Sequence, residues 1–340
     1  MARRGVALDA LNRERKGLLR KKIRTPEETP PAAPVFAPLR KKPGAAQIVS
    51  AARRAGVTDE FDGAPVAETL ASLAKRGVDV LAARGFDDDP FSVGSEAVLR
   101  ESAGRVAAGL RLAARACGAG GILVAASCRD EARRFSAAEP DVPAAAAGPR
   151  YPASLFLLRK LRRGGKKVAF LGAQACAALA DAAEGKPQEE TVVTAAGDGF
   201  REPGNYRVRI GAPVREVLRA AGISGRARLA AVRSAVSGDA LADDSLPVAA
   251  STRCVVALLR APAGRVYPCV RCGRCARACP VGVVPWLIHR ELESGDPDAL
   301  LFFHAGECVG CRACSLVCPS GIALAEEVAL AAERKEGVAK

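Results

Sequence analysis

Aromatic, histidine and methionine residues are scarce in this chain of 340 residues. Phe, Trp and Tyr together make up 4% of it, and there are two His and one Met. The basic residues are not interleaved with aromatic ones, which argues against binding RNA or DNA by base stacking. No apolar run approaches the roughly 18 residues of a membrane-spanning helix. No apolar segment follows Arg3 and Arg4, so no secretory signal is predicted.

The charge is distributed unevenly along the chain. The net charge is +14, and residues 1–42 alone contain twelve Lys or Arg against four Asp or Glu. Such a segment is suited to acidic lipid headgroups or to an acidic protein, although a solvated tail has the same composition. We therefore expect a cytoplasmic protein with peripheral contact at the inner face of the cell membrane.

Proline content and periodicity divide the chain into four segments. Residues 1–45 are basic and then proline-rich, which predicts an arm or linker. Residues 46–190 alternate short strand-like runs with longer amphipathic segments, the rhythm of an α/β layer domain. Residues 191–250 are typical of a small α+β module. Residues 251–335 form a helical, cysteine-rich module.

Individual elements can be assigned in the second and third segments. The predicted strands are Val78–Ala82, Gly121–Ala126, Lys167–Leu171, Thr191–Thr194 and Tyr206–Ile210. The predicted helices are Ser50–Ala55, Ala67–Lys75, Ser95–Cys117, Ala173–Ala183 and Val214–Ala221.

Twelve cysteines without a secretory signal favour metal binding over disulfides. Four of them are scattered, and we expect these to be small buried hydrophobic residues: Cys117, Cys128, Cys176 and Cys254. The other eight lie in two identical C-x2-C-x2-C-x3-C-P runs, at residues 269–280 and 308–319. This repeat predicts a module that binds two [4Fe–4S] clusters.

Each run supplies three closely spaced thiolates to one cluster, and its fourth cysteine, which precedes proline, ligates the other cluster. Cluster I is expected to use Cys269, Cys272, Cys275 and Cys318, and cluster II to use Cys308, Cys311, Cys314 and Cys279. Two zinc sites with four cysteines each are the alternative. Zinc sites usually combine two C-x2-C pairs and do not require the repeated triplet with its cysteine–proline step.

The arginines near the two runs differ in number. Arg271, Arg274 and Arg277 lie between the cysteines of the first run, whereas the second run contains only Arg312 and follows Glu307. Cations stabilise the reduced state of an anionic cluster, so cluster I is expected to have the higher potential. The alternative is that these arginines only solvate a helix or contact a partner. The sequence contains no nucleophile with a recognisable base, so no catalytic residue is predicted.

The cysteine runs resemble those of the C subunit of the Rnf ion-translocating electron-transport complex. Residues 191–213 resemble the start of that family's soluble-ligand-binding β-grasp module, and Asp87–Phe91 with the following helix resembles its flavin- and NADH-binding domain. The resemblance runs from about residue 46 to 335. It implies an α/β domain like the complex I flavoprotein at 46–190, a β-grasp module at 191–250 and a bis-[4Fe–4S] ferredoxin module at 251–335.

The flavin loop departs from the family pattern. The family's Gly-Gly-Ala-Gly-Phe-Pro-Thr corresponds here to Phe61–Val66, in which Gly63 alone is a glycine, and the family's Asn-Gly-Ala-Glu-Cys corresponds to Arg84–Asp88. Gly63 and Asp88 are the positions that would contact FMN. Side chains in place of glycine obstruct the close approach of backbone to phosphate. We therefore expect the fold to be retained without FMN or NADH binding.

The resemblance implies a peripheral electron-transfer subunit of an oxidoreductase complex, which relays electrons between a soluble carrier and membrane partner subunits. One alternative is a free-standing NADH- or flavin-dependent reductase of the corrinoid-reducing type. Another is an assembly subunit whose clusters are only structural. Bound flavin and NADH-driven bleaching would indicate the reductase, and clusters that never change redox state would indicate the assembly subunit.

Overall fold

A computed structural model describes residues 15–25, 35–233, 238–260, 265–294 and 304–338. The chain divides into two compact units, Met1–Arg260 and Ala261–Lys340. The second unit contains both cysteine runs and begins at residue 261, whereas the sequence predicts a start at 251. The reason is that Cys254–Leu258 forms a strand in a sheet of the first unit. No helix within the described ranges is long and apolar enough to cross a membrane.

The strands and helices of the first unit are numbered along the chain. The strands are β1 (Ile23–Arg24), β2 (Val80–Gly85), β3 (Gly121–Ala126), β4 (Ala144–Ala146), β5 (Val168–Gly172), β6 (Glu190–Ala196), β7 (Gly204–Arg209), β8 (Leu229–Val232), β9 (Asp239–Ala240) and β10 (Cys254–Leu258). The helices are α1 (Ala45–Arg54), α2 (Val66–Arg76), α3 (Gly94–Glu101), α4 (Ala103–Cys117), α5 (Arg129–Ala138), α6 (Ala153–Leu161), α7 (Ala173–Ala183) and α8 (Val214–Ala220).

The first sheet is parallel and has the strand order β4-β3-β2-β5. Leu81, Val124 and Leu171 in three of its strands are 0–1% exposed, as expected for a sheet covered on both faces. Along the chain, β3 and then β4 are added on one side of β2, and β5 is added on the other side. The carboxyl ends of β2 and β5 therefore flank the point at which the winding reverses, where open α/β sheets form their ligand crevice.

The helices bury aliphatic faces against this sheet. Ile48, Leu70, Leu110 and Leu179 belong to one apolar core, and each fully buried side chain of this size contributes about 1.5–3 kcal/mol. The predicted helix Ser95–Cys117 is wrong as a single element, because α3 and α4 are separated at Ser102, whose φ is −133°. Ser102 and Gly104 are both weak helix formers, which favours a break there.

The second sheet has the order β1-β7-β6-β10-β8-β9. Strands β6 and β7 are antiparallel, and β10 runs parallel to β6. Helix α8 packs on this sheet and buries Val214 and Val217 in an apolar core with Val193, Phe200 and Tyr206. The two strands and one helix predicted between residues 191 and 221 are confirmed, and the β-grasp identity of the module stays a prediction.

Part of the predicted basic arm packs against the second sheet and α3 within the first unit. β1 pairs in parallel with β7, and Leu18 is buried at 2% exposure. Arg15 donates through Nη2 to the buried Glu96 carboxylate at 2.7 Å. These long-range contacts explain why residues 15–24 are not a linker. Residues 1–14 and 26–34 of the predicted arm lie outside the described residues.

Helices α4 and α7 approach each other closely at Gly109. A Cβ atom on Gly109 would overlap the carbonyl oxygen of Cys176 and lie 2.5 Å from its carbonyl carbon. Cys176 is fully buried at this contact, and burial raises the pKa of its thiol. Cys117 and Cys254 are buried as well, as predicted, whereas Cys128 is exposed and that prediction is wrong.

We expect Gly109→Ala to lower the free energy of unfolding by about 1–3 kcal/mol, the usual cost of overpacking, since the obstructing atoms are backbone. Urea unfolding followed by circular dichroism measures the change. Gly104→Ala in the same helix is the matched control, because its Cβ would meet only the end of the Glu139 side chain, at 3.3 Å. Equal destabilisation of the two variants would contradict this explanation.

Candidate functional site

The two cysteine runs form loops with the same backbone conformation. In each run the residues on either side of the second cysteine have positive φ. They are Arg271 (51°) and Gly273 (67°) in the first run, and Gly310 (65°) and Arg312 (58°) in the second. A left-handed conformation costs a non-glycine residue roughly 1–2 kcal/mol. Such strain marks a loop whose geometry is imposed by its surroundings, and it is typical of functional sites.

The repeat continues beyond each loop. The first loop leads into α9 (Arg274–Ala278) and then α10 (Pro285–Ser294), and the second leads into α11 (Ala313–Leu316) and then α12 (Leu324–Val338). Between the short and the long helix, the glycine two residues after the proline has positive φ in both copies, 85° at Gly282 and 71° at Gly321. The sequence repeat is therefore also a structural repeat.

Cys279, from the first run, lies among the cysteines of the second. A small cavity of apolar character is lined by Cys279 together with Cys308, Cys311 and Cys314. Burial raises the pKa of the Cys311 thiol, and the nearby Cys279 and Cys308 raise it further. Burial likewise raises the pKa of Cys314 to about 11. Without iron these two thiols hold their protons at neutral pH, so metal binding must release protons.

Cys318, from the second run, lies beside the start of the first. It shares an apolar cluster with Cys275, and Cys269 packs against that cluster. Ser320 joins the same two segments, because its carbonyl accepts from the Tyr267 amide at 2.8 Å and its hydroxyl donates to the Pro268 carbonyl at 2.9 Å. Cys314 is a buried member of the same cluster, whereas Cys272 is exposed.

The charged residues near the two runs are arranged differently. Arg277 donates to the Cys272 carbonyl at 3.1 Å, within the first run. Arg312, in the second run, pairs with Glu326 at 2.7 Å. The sequence pattern does not indicate a further contact between the two copies of the repeat. The Nδ1 atom of the buried His289 lies within hydrogen-bonding distance of Glu327, at 3.0 Å, and this contact links α10 to α12.

The donor set suits iron–sulfur clusters, because soft thiolates on short loops are the ligands such clusters use. Across the residues that the structure describes, no group of three or more His, Cys, Asp or Glu side chains is arranged to hold a single metal ion.

The crevice at the carboxyl ends of β2 and β5 is occupied by two carboxylates of the chain itself. Glu60 is 1% exposed and accepts from the amides of Gln174 and Ala175 at the N-terminus of α7, at 3.0 and 3.1 Å. It also accepts from the Ser95 hydroxyl at 2.9 Å. Asp59 accepts from the Gly172 amide at 2.7 Å. Helix N-termini attract anions, and here the anion belongs to the protein.

Burial is the main reason why the pKa values of the Glu60 and Asp59 carboxyl groups are raised. It raises the pKa of Glu60 to about 7, and the adjacent Asp59 adds to the effect by charge repulsion. Burial also raises the pKa of Asp59. The amide donors partly oppose this shift by stabilising the carboxylate. Sequence reasoning missed both residues, although they directly precede the predicted flavin loop.

The two predicted FMN-contacting positions have structural roles. Gly63 lies in a tight turn with a φ of 73°, and its amide donates to the Asp59 carbonyl at 3.0 Å. Asp88 pairs with Arg84 at 3.1 Å and accepts from the Ser154 amide at 2.9 Å and from the Ser154 hydroxyl. The structure therefore uses both positions to hold its own loops.

Two arginines lie over the aromatic ring of Phe61, in the predicted flavin loop. The guanidinium of Arg84 lies 3.9 Å from the Phe61 ring centroid, and that of Arg253 lies 5.5 Å from it. Arg253 also pairs with the buried Asp87 carboxylate at 2.8 Å. The acidic residues that resemble part of a flavin domain thus have cationic partners within the first unit.

Comparisons with known proteins bear on both units. Residues 268–322 match the family described as the 4Fe-4S dicluster domain. The C subunit of the ion-translocating oxidoreductase complex of Rhodobacter capsulatus is 34% identical over 115 residues, which are 33% of this chain and 22% of that protein. The corresponding protein of Pseudomonas aeruginosa is 29% identical over 262 residues, 67% of this chain and 32% of that protein.

A solved structure resembles most of the chain. One chain of an NAD+-reducing [NiFe]-hydrogenase in the air-oxidized state superposes with a TM-score of 0.53 and 16% identity, over 87% of this chain and 54% of that chain. At this identity the likeness concerns the fold, which is mixed α/β. The chain spans less than a third of the length of the two curated relatives. The resemblance to the C subunit of ion-translocating oxidoreductase complexes, which the sequence motifs indicated, is confirmed by these matches.

Proposed function

We propose that this chain is an electron-transfer subunit of an Rnf-like membrane complex and holds two [4Fe–4S] clusters. The observation that carries the proposal is the position of Cys279, which belongs to the first run and lies among the cysteines of the second. Cys279 lines one cavity with Cys308, Cys311 and Cys314. Cys318 shares an apolar cluster with Cys275 and Cys314, and Cys269 packs against that cluster. An iron–sulfur module with two clusters uses an exchange of cysteines between its runs, whereas two zinc sites have no need of it.

The proposed ligands are those expected from the spacing. Cluster I is held by Cys269, Cys272, Cys275 and Cys318, and cluster II by Cys308, Cys311, Cys314 and Cys279. The clusters supply reversible one-electron chemistry. The protein's residues hold the thiolates in place and limit the access of water, since Cys275, Cys314 and Cys318 are 6–8% exposed.

The arginines favour a higher potential at cluster I. Arg312 is neutralised by Glu326. The second run therefore carries less positive charge near its thiolates than the first, which contains Arg271, Arg274 and Arg277. We propose that electrons pass between a soluble carrier and membrane partner subunits through the two clusters. The chain attaches at the inner face of the membrane through those partners.

The reductase alternative requires a flavin, and the crevice does not favour one. The Glu60 carboxylate takes two of the amides that would hold a phosphate at the α7 N-terminus. A phosphate placed beside two buried carboxylates would meet charge repulsion in a medium of low dielectric constant. We propose that the flavin-like domain is retained as a scaffold.

We expect anaerobically purified protein to contain about eight iron and eight acid-labile sulfide atoms per chain, since two intact sets of four thiolates are present. Iron and sulfide assays with metal analysis on the same sample measure this. About two zinc per chain without sulfide would contradict the proposal.

We expect Cys279→Ser to damage cluster II and to spare cluster I, because Cys279 lies in the cavity of the second run. The reciprocal change, Cys318→Ser, should damage cluster I. Electron paramagnetic resonance of the reduced variants distinguishes the clusters, and Cys128→Ser, at an exposed cysteine of the first unit, is the control. The opposite pattern would show that each run closes on its own cluster.

We expect no equimolar FMN and no NADH oxidation by the isolated chain, because Glu60 occupies the α7 N-terminus. Fluorescence of the supernatant after denaturation, with an NADH oxidation assay, measures both. An equimolar flavin would refute this prediction and restore the reductase alternative, without affecting the cluster assignment.

A further inference from the structure

A second concave site lies in the first unit, at a place that neither the clusters nor the flavin-like crevice uses. A cavity of about 950 Å³ opens beside β4, the edge strand of the parallel sheet, between α5 and α6. Cavities of roughly 300–1,000 Å³ are typical of small-molecule sites. This one lies at the opposite edge of the sheet from β5.

The cavity is strongly basic. Its lining contains no acidic residue among those that the structure describes, and six cationic ones: Arg129, Arg133, Arg150, Arg159, Lys160 and Arg163. The sequence explains this bias, because residues 142–180 contain seven Lys or Arg and no Asp or Glu. Arg133 has an exposed acidic neighbour outside the lining, Asp130, at 3.7 Å. An excess of positive charge along one cavity attracts anions.

The type of cation indicates the type of anion. Five of the six cations are arginines, whose planar guanidinium groups bind phosphate or carboxylate through two parallel hydrogen bonds. Exposed lysines would serve for general solubility, but a set of arginines around one cavity favours a ligand with adjacent planar or tetrahedral anionic groups.

The lining also has an apolar part. It contains Ala144–Ala147, Phe156 and Leu157, and the Arg150 guanidinium lies 5.5 Å from the centroid of the Phe156 ring. A bare anion would leave these apolar side chains without a partner. An aromatic ring stacked on Phe156 would cover them while its anionic substituents met the arginines.

We propose that this cavity binds a nucleoside diphosphate, with the base against Phe156 and the phosphates against the cations of α6 and of the loop at Arg150. The site is independent of the clusters and of the proposed electron transfer, and it provides a place for a nucleotide ligand outside the crevice that Glu60 fills.

Isothermal titration of the full-length, cluster-loaded protein with ADP tests the proposal. The double substitution Arg150→Gln, Lys160→Gln should weaken ADP binding at least about tenfold, because it removes two cations that would donate charge-assisted hydrogen bonds to the phosphates. Both side chains are exposed, so the fold should tolerate the change. The double substitution Lys75→Gln, Arg115→Gln removes the same charge from exposed positions outside the cavity and should leave ADP affinity within about twofold.

Phe156→Ala separates the base from the phosphates. It should weaken binding of ADP at least about threefold and leave binding of pyrophosphate unchanged, since stacking on an aromatic ring stabilises the base and not the phosphates. Absence of saturable ADP binding at physiological salt would overturn the proposal. So would equal weakening by the cavity and control substitutions, or a cavity-dependent interaction with anionic vesicles or an acidic protein in the absence of ADP binding.

Discussion

The first unit depends on the carboxylate of Glu60 at the N-terminus of α7. This one group accepts hydrogen bonds from two helix amides and from Ser95 on α3, so it joins three separate parts of the chain. It also dictates the identity of a neighbour, because a Cβ atom on Gly172 would overlap the carboxylate. Burying a carboxylate is costly unless it is hydrogen-bonded. The bonds to backbone amides offset that cost and complement the partial positive charge of the helix end.

The same arrangement uses groups of the chain itself at a position where α/β folds commonly hold a ligand. A helix N-terminus beside the reversal of a parallel sheet is a general site for phosphates. Here the site is satisfied from within, and the adjacent acidic residues are paired with Arg84 and Arg253. These internal hydrogen bonds and ion pairs hold this edge of the sheet in place with groups that all belong to the chain.

The cluster module follows from residue spacing, and the sequence predicted it for that reason. The eight cysteines recur at fixed, short spacings, and that spacing alone identifies the type of cluster they bind. Several strands and helices were also predictable, with β3 and α7 at the expected bounds, because burial leaves an aliphatic pattern. Long-range pairings leave no such pattern. Nothing local indicated that Ile23 would pair with Asn205 in the second sheet, or that Cys254–Leu258 would join that sheet. Glu60 was missed because a single acidic residue before a loop has no distinctive spacing.

The proposed exchange of cysteine ligands between the runs has a consequence for biosynthesis. Synthesis proceeds from the N-terminus at roughly 5–20 residues per second, so Cys269, Cys272, Cys275 and Cys279 leave the ribosome before the second run does. On the proposed ligand sets, the first three of these wait for Cys318, and Cys279 waits for Cys308, Cys311 and Cys314. Neither cluster can be closed by protein ligands before the second run is made. Cluster insertion is then a step that follows translation of the whole module, and a chain interrupted within the second run would leave the first one without a complete ligand set.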